Sequence, residues 1–234
     1  LQQSGLRAHK LDLNDEHSIE AAAGWALAES DGQLYALINN GAYGQTGAIE
    51  DLPTQALREQ FNTNLFGWHH LLRLILPTML QQNRGRIIQI SSVLGLVAMK
   101  YRGAYNASKF ALEGYTDTLR LELRDTAIQI SLIEPGPIRS QFRSNALIKF
   151  QQHIDVVTSR HHEVYQQTLQ RLQNPTPKNP FTLESESCLK PVLHALRSKH
   201  AKTRYGVTFP THLFALLRRI LPTRWLDSIL CRSA

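Results

Sequence analysis

Short apolar runs alternate with longer stretches of helical period along most of this chain, as in a parallel sheet whose strands are joined by crossover helices. Residues 6–13 (LRAHKLDL), 33–40 (QLYALINN), 86–92 (RIIQISS) and 127–134 (AIQISLIE) read as strands, with a last short one at 204–209. Between the first two, 15–28 places Ile19, Ala22, Ala23, Ala26 and Leu27 at helical spacing behind Asn14 as a cap. Pro53 opens a longer helical stretch to Asn83, with apolar residues on recurring turns and a kink or division expected at Pro77. Further helices are predicted over 101–124 and 183–199. The fold class is α/β, a Rossmann-like doubly wound parallel sheet in a single domain spanning 1–234.

Beyond Ser140 the pattern changes. Gln151, Gln152, His153, His161 and His162 make a polar helical stretch, and 174–180 (NPTPKNP) is a proline-rich loop, so 141–182 reads as a peripheral insertion next to a substrate site. Residues 211–232 form an amphipathic C-terminal helix interrupted at Pro222. Its leucines, Phe214, Ile220 and Trp225 stand beside Arg218, Arg219, Arg224 and Arg232, which resembles a membrane-surface helix; the plainer reading is a helix covering the core or a subunit contact.

Composition narrows the classes. Of 234 residues 42% are hydrophobic and 19% charged, which suits one globular domain. The net charge of +7 permits anionic partners and selects none. The basic residues are scattered or confined to the last helix without a recognition motif, so no nucleic-acid partner is expected. No apolar run reaches the roughly 18 to 20 residues of a membrane span, and the first residues lack a secretion signal, which points to a cytoplasmic protein with peripheral membrane contact through 211–232 at most. Cys188 and Cys231 form no C-x-x-C pair, and His153, His161 and His162 read as a solvated face, so no metal site is expected.

The chemistry begins with Tyr105-Asn106-Ala107-Ser108-Lys109. A phenol and an ammonium four residues apart on a helix share one face, and the ammonium can stabilise phenolate. A tyrosine titrates near 10 when unperturbed, so acid/base work near neutrality calls for a fixed positive charge that lowers that value. Ser92 lies thirteen residues ahead of Tyr105 at the C-terminal end of a predicted strand, where open α/β sheets place their ligands. Its hydroxyl can hold a substrate oxygen while the phenol donates the proton. Ser91 is sent to the opposite face by strand alternation.

This serine followed by Tyr-x-x-x-Lys resembles the short-chain dehydrogenase/reductase family, and other motifs agree in order. Asn39-Asn40-Gly41-Ala42 resembles the family's Asn-Asn-Ala-Gly with the last two residues exchanged. Asp12-Leu13 resembles the pair that closes the third strand beside the adenine. Asn64 matches the helix asparagine of the proton relay, and Pro135-Gly136-Pro137-Ile138-Arg139-Ser140 matches Pro-Gly-x-Val-x-Thr near the nicotinamide. The resemblance implies an NAD(P)-dependent oxidoreductase, with NADP favoured over NAD. Asn64, Ser92, Tyr105 and Lys109 would be catalytic; Asp12, Leu13, Asn39, Asn40, Gly41, Tyr105, Lys109, Pro135, Gly136, Ile138 and Ser140 would hold the cofactor. It further implies that Lys109 depresses the Tyr105 pKa, and that the helices bearing Asn64 and Tyr105 build a homodimer or homotetramer.

The family's glycine-rich turn, Thr-Gly-x-x-x-Gly-Ile-Gly, does not occur in these residues. The chain starts at what resembles the third strand, and the expectation is that the sequence lacks an N-terminal βαβ segment of a longer enzyme. Tyr43, Leu94, Leu96, Val97, Met99 and Phe142, with Ile138, suggest an apolar pocket for a lipophilic carbonyl or alcohol. The alternative reading is a catalytically silent member of the fold that senses nucleotide or serves as a scaffold.

Overall fold

The computed structural model describes residues 5–174 and 179–232. Its sheet has four parallel strands in the order β1 (Ala36–Asn39), β2 (Gly85–Ile90), β3 (Ile128–Glu134) and β4 (Arg204–Gly206). Ile and Leu dominate because parallel strands are covered on both faces: Ile87, Ile88, Leu132 and Ile133 are all buried. β1 is an edge strand among the described residues, and its Ile38 is exposed.

Three long helical elements cover one face. α1 (Glu16–Glu29) supplies Ile19 and Ala23; α3 (Gly67–Gln81) supplies Leu72, Ile75 and Met79; α4 (Gly103–Glu122) supplies Leu119. All pack with Leu37, Ile87 and Ile130 of the strands. The other face is covered by α7 (Leu189–Arg197), whose Ala195 meets Ile88 and Ile133. A third apolar cluster lies to one side, where α5 (Phe142–His153) and α6 (His162–Gln173) enclose Phe150, Tyr165 and Leu172 against Ala48 and Tyr101. α8 (Phe209–Ile220) and α9 (Thr223–Arg232) complete the described chain.

Four expectations are corrected. Residues 6–13 form no strand. They run beside α1, with Arg7 paired to Glu29 and His9 stacked on Trp25. The backbone donors at their end are used locally: Asp12 N–H donates to Ser18 Oγ at 2.9 Å, and Asp12 Oδ1 accepts from Asn14 N at 2.9 Å. α1 is capped by Asp15 rather than Asn14, because the Asp15 carboxylate reaches the amides of His17 and Ser18.

The helix beginning near Pro53 is not divided at Pro77, which α3 absorbs. It is divided between α2 (Thr54–Phe61) and α3 by a π-helical turn at Asn62–Phe66. The histidines make no common solvated face: His153 lies 3.2 Å from Glu59, and His161 lies 3.1 Å from Glu50 with its ring edge-on to Tyr101. Of the proline-rich loop at 174–180, residues 175–178 lie outside the described residues. Among the described residues no helix is long and apolar enough to cross a membrane, no cluster suits a metal ion, and both cysteines are free.

Candidate active site

The site forms where β2 ends and α4 begins. Beyond Ile90 the chain leaves the sheet, and alternation divides the two hydroxyls as expected. Ser91 Oγ donates into the interior, to Glu113, while Ser92 Oγ accepts from Leu94 N at 3.1 Å and lies beside the Tyr105 phenol. Ser92 also caps the short turn Val93–Gly95 that starts the pocket wall. Phe142, at the start of α5, closes on the phenol from outside, its ring edge-on at 5.2 Å from the Tyr105 ring. Gly44 makes room for this contact, since a Cβ there would stand 2.5 Å from Phe142 Cζ.

Lys109 shares the face of α4 with Tyr105 and is buried. Its Nζ donates to Ile90 O at 2.7 Å and sits 4.7 Å from the centre of the Trp68 ring and 5.8 Å from that of Tyr105. Burial pulls this ammonium down to about 7, against the pull of the Glu113 carboxylate one turn along. Burial pushes the Tyr105 phenol up to about 12, against the Ser92 hydrogen bond and the charge of Arg102. The expected depression of the tyrosine by Lys109 is therefore not what this arrangement produces. Desolvation outweighs the neighbouring charges, and the phenol carries its proton at neutral pH.

Asn64 is held inside the π-helical turn and is fully bonded to protein. It exchanges two hydrogen bonds with the Tyr43 backbone, 3.0 and 3.3 Å, and donates to Ser108 Oγ at 3.1 Å. Ser108 Oγ donates in turn to Tyr105 O at 2.9 Å, so Asn64 ties the loop after β1 to the helix turn that carries the phenol. Such inserted turns recur at functional sites because they re-aim one side chain without ending the helix.

The cofactor candidates line the same carboxyl edge of the sheet. Asn39 is buried and donates to Gln89 Oε1 at 2.9 Å, whereas Asn40 is exposed. Gly41 O accepts from Trp68 Nε1 at 2.8 Å, and Leu13 packs against both Gly41 and Gly67. A Cβ on Gly67 would fall 2.3 Å from Leu13 O, so glycine is required for this approach. Asp12 is exposed beside it.

After β3, Pro135 O accepts from Val93 N at 2.8 Å, joining the two strand ends. Gly136 permits the approach of Thr208, Ile138 bridges to Leu183, and exposed Ser140 accepts from Phe142 N at 3.3 Å. Of the pocket candidates, Tyr43 and Val97 are buried and Leu94, Leu96 and Met99 half-buried. Leu96 O accepts from Arg218 at 2.5 Å, which ties α8 to the pocket wall.

Two groups of polar residues escaped the sequence reading. Arg204 bonds to Glu113, to Glu134 at 2.7 Å and to Asp117 at 2.7 Å, a half-buried network whose Glu113 stands one turn beyond Lys109. Glu113 stands four residues after Lys109, a spacing that could have flagged it; Arg204 has no local signal. Arg102, three residues before Tyr105, donates to the buried Thr46 hydroxyl.

Comparison with known proteins bears on the family and the fold. The profile of the family described as short chain dehydrogenase matches residues 2–149. The Uncharacterized oxidoreductase YbbO of Escherichia coli is 39% identical over 220 residues, covering 94% of this chain and 76% of that protein. Human Retinol dehydrogenase 8 is 36% identical over 157 residues, 58% of this chain and 50% of that one. A short chain dehydrogenase/reductase from Burkholderia phymatum, solved in complex with NAD, superposes with a TM-score of 0.71 at 26% identity, covering 90% of this chain and 72% of that one.

Proposed function

This chain belongs to the short-chain dehydrogenase family, and from that premise we propose that it interconverts an aldehyde or ketone with the corresponding alcohol on a lipophilic substrate. The observation that carries the reading is the Tyr105 phenol beside Ser92 at the end of β2, with the Lys109 ammonium one helical turn behind it. Tyr105, protonated at neutral pH, gives its proton to the carbonyl oxygen, and Ser92 holds that oxygen in line. Lys109 places positive charge beside the phenolate that results. Asn64 positions the Tyr105 turn through Ser108 and, in this reading, connects to the proton relay.

NADP, favoured over NAD, supplies or accepts the hydride when bound. The residues present fit its nicotinamide half: Lys109 has donors beyond the one used by Ile90, and Asn39, Gly41, Pro135, Gly136, Ile138 and Ser140 gather at the carboxyl edge of the sheet with Asp12 and Leu13. The glycine-rich turn that would cradle a pyrophosphate is not among the 234 residues, and no group here is assigned to it.

Tyr43, Leu94, Leu96, Met99 and Phe142 support an apolar substrate. In this reading 1–234 is one domain, 141–182 covers the substrate and 211–232 lies on a membrane surface. α8 supports the last point by presenting Phe209, Leu213, Leu216 and Ile220 at helical spacing on its exposed side, with Arg219 beside them. Exposed Phe66, Leu80 and Leu121 on the π-helical turn, α3 and α4 support a homodimer or homotetramer.

Nicotinamide absorbance with aldehydes and ketones tests the central claim. Tyr105→Phe should lower kcat/KM by at least about a hundredfold while leaving the fold intact, and turnover within tenfold of the parent would reject the assignment. Flotation with anionic vesicles, with and without 211–232, and light scattering test the surface and subunit assignments; equal flotation and a monomer would reject them.

A further inference from the structure

One aromatic ring and one ammonium share the interior behind the phenol. Trp68 stands at the start of α3, directly after the π-helical turn, and it and Lys109 are each only 1% exposed. Lys109 Nζ lies 4.7 Å from the centre of the Trp68 ring and donates to Ile90 O at 2.7 Å. The ring is fixed at its other end, because Trp68 Nε1 donates to Gly41 O at 2.8 Å. Gly67 lets the start of α3 close on Leu13, which also packs against Gly41. Trp68 thus joins the loop after β1 to α4 through the ammonium.

Among the described residues no carboxylate stands within ion-pair distance of Lys109 Nζ. Glu113, one turn along α4, is engaged by Ser91 of the β2 end and by Arg204 of β4, and Arg204 also holds Glu134 of β3 and Asp117 of α4. Tyr105 has its ring centre 5.8 Å from Nζ. His69 and His70, beside Trp68 on α3, turn instead to Tyr115 and Glu20. An ammonium taken out of water with one hydrogen bond is costly. An indole face, the best of the aromatic rings for a cation, offsets part of that cost, and more so where water is excluded. Burial draws Lys109 down to about 7, against the Glu113 charge, so near neutrality any preference for the charged form decides how much of it carries charge.

We propose that Trp68 is a positioning residue for the reaction at Tyr105: its indole face holds the Lys109 ammonium, and with it the positive charge, one turn behind the phenol, while its N–H anchors the ring to the loop after β1. The inference rests on the carbonyl–alcohol reading of the Tyr105 site and adds to it a residue that acts through Lys109.

Fluorescence reads the contact without turnover. Trp25 is stacked on His9 and Trp225 is exposed, so both are replaced by Phe, which leaves Trp68 as the only tryptophan of the three. Its emission should change in a step centred near pH 7 as the ammonium under the ring loses its proton, and Lys109→Met should abolish that step. In the reduction of decanal with NADPH, kcat should fall on the basic side as Lys109 loses its charge. Trp68→Leu should move that limb to lower pH by about one unit, a tenfold loss of rate above it, and Trp68→Phe, which keeps an aromatic face, by less than half as much. If Trp68→Leu does not fold by circular dichroism, Trp68→Met, whose flexible chain fills the space without a ring, takes its place. No emission step that depends on Lys109, or a folded ring-free variant with the parent's basic limb, would overturn the proposal. Turnover without the step removes this inference alone, and the step without turnover of any aldehyde or ketone removes the oxidoreductase reading.

Discussion

Two arginines, Arg204 against the middle of α4 and Arg102 at its start, are in opposite circumstances. Arg204 is surrounded by Glu113, Glu134 and Asp117 and joins β3, β4 and α4. Arg102 has a hydroxyl and two further arginines for company. The first is complete without a ligand and belongs to the architecture. The second has no acid partner among the described residues. Buried charge thus has two settings here, and the presence or absence of acid partners separates them.

The largest expected effect comes from removing the satisfied cation. Arg204→Met strands two buried carboxylates and should lower unfolding free energy by about 3–5 kcal/mol in urea titrations. A loss under about 1 kcal/mol would erase the contrast. Arg102→Met should move the other way, leaving stability unchanged or raising it by about 1–2 kcal/mol, because an unpaired charge is replaced by an apolar chain. A large loss there would mean that Arg102 is structural after all.

The smallest effect is in the pH dependence. Burial, aided by the nearby Glu113 charge and opposed by Arg204, raises the Glu134 pKa above its unfolded value. Its contribution to stability is therefore complete below the ordinary carboxylate pKa and is lost as pH rises through the folded value. Glu134→Gln should flatten stability against pH above about 4.5, removing a slope of at most ~1.4 kcal/mol per pH unit. An unchanged slope in chemical denaturation would show that another group sets it.

How far the sequence could be read followed from how local each cause was. Strand runs such as RIIQI and the Ser92, Tyr105 and Lys109 spacing depend on near neighbours, and β2 and α4 form where the pattern predicts a strand and a helix. Residues 6–13 carry an equally strand-like pattern but lie outside the sheet, since a strand exists only through its ladder. The direction of the Tyr105 pKa is not legible in the chain, because the Tyr-x-x-x-Lys spacing reports which charges are near and says nothing about how dry the site is. The partners of Arg204 lie roughly seventy to ninety positions away, which no window of the chain displays.

The π-helical turn at Asn62–Phe66 has a consequence for how this chain tolerates insertions and deletions. Each α-helical residue advances the chain by about 100° around the axis. Deleting Asn62 or Thr63 would remove the extra residue of the wide turn and let it relax into ordinary α-helix, with α2 and α3 keeping their faces. Gln60, whose side-chain carbonyl accepts from Gln45 N at 2.7 Å, would keep its loop, whereas Asn64 would leave the wide turn that aims it at Tyr43 and Ser108. A lesion of three nucleotides that spares the apolar core would therefore disconnect the loop after β1 from the helix that presents the phenol.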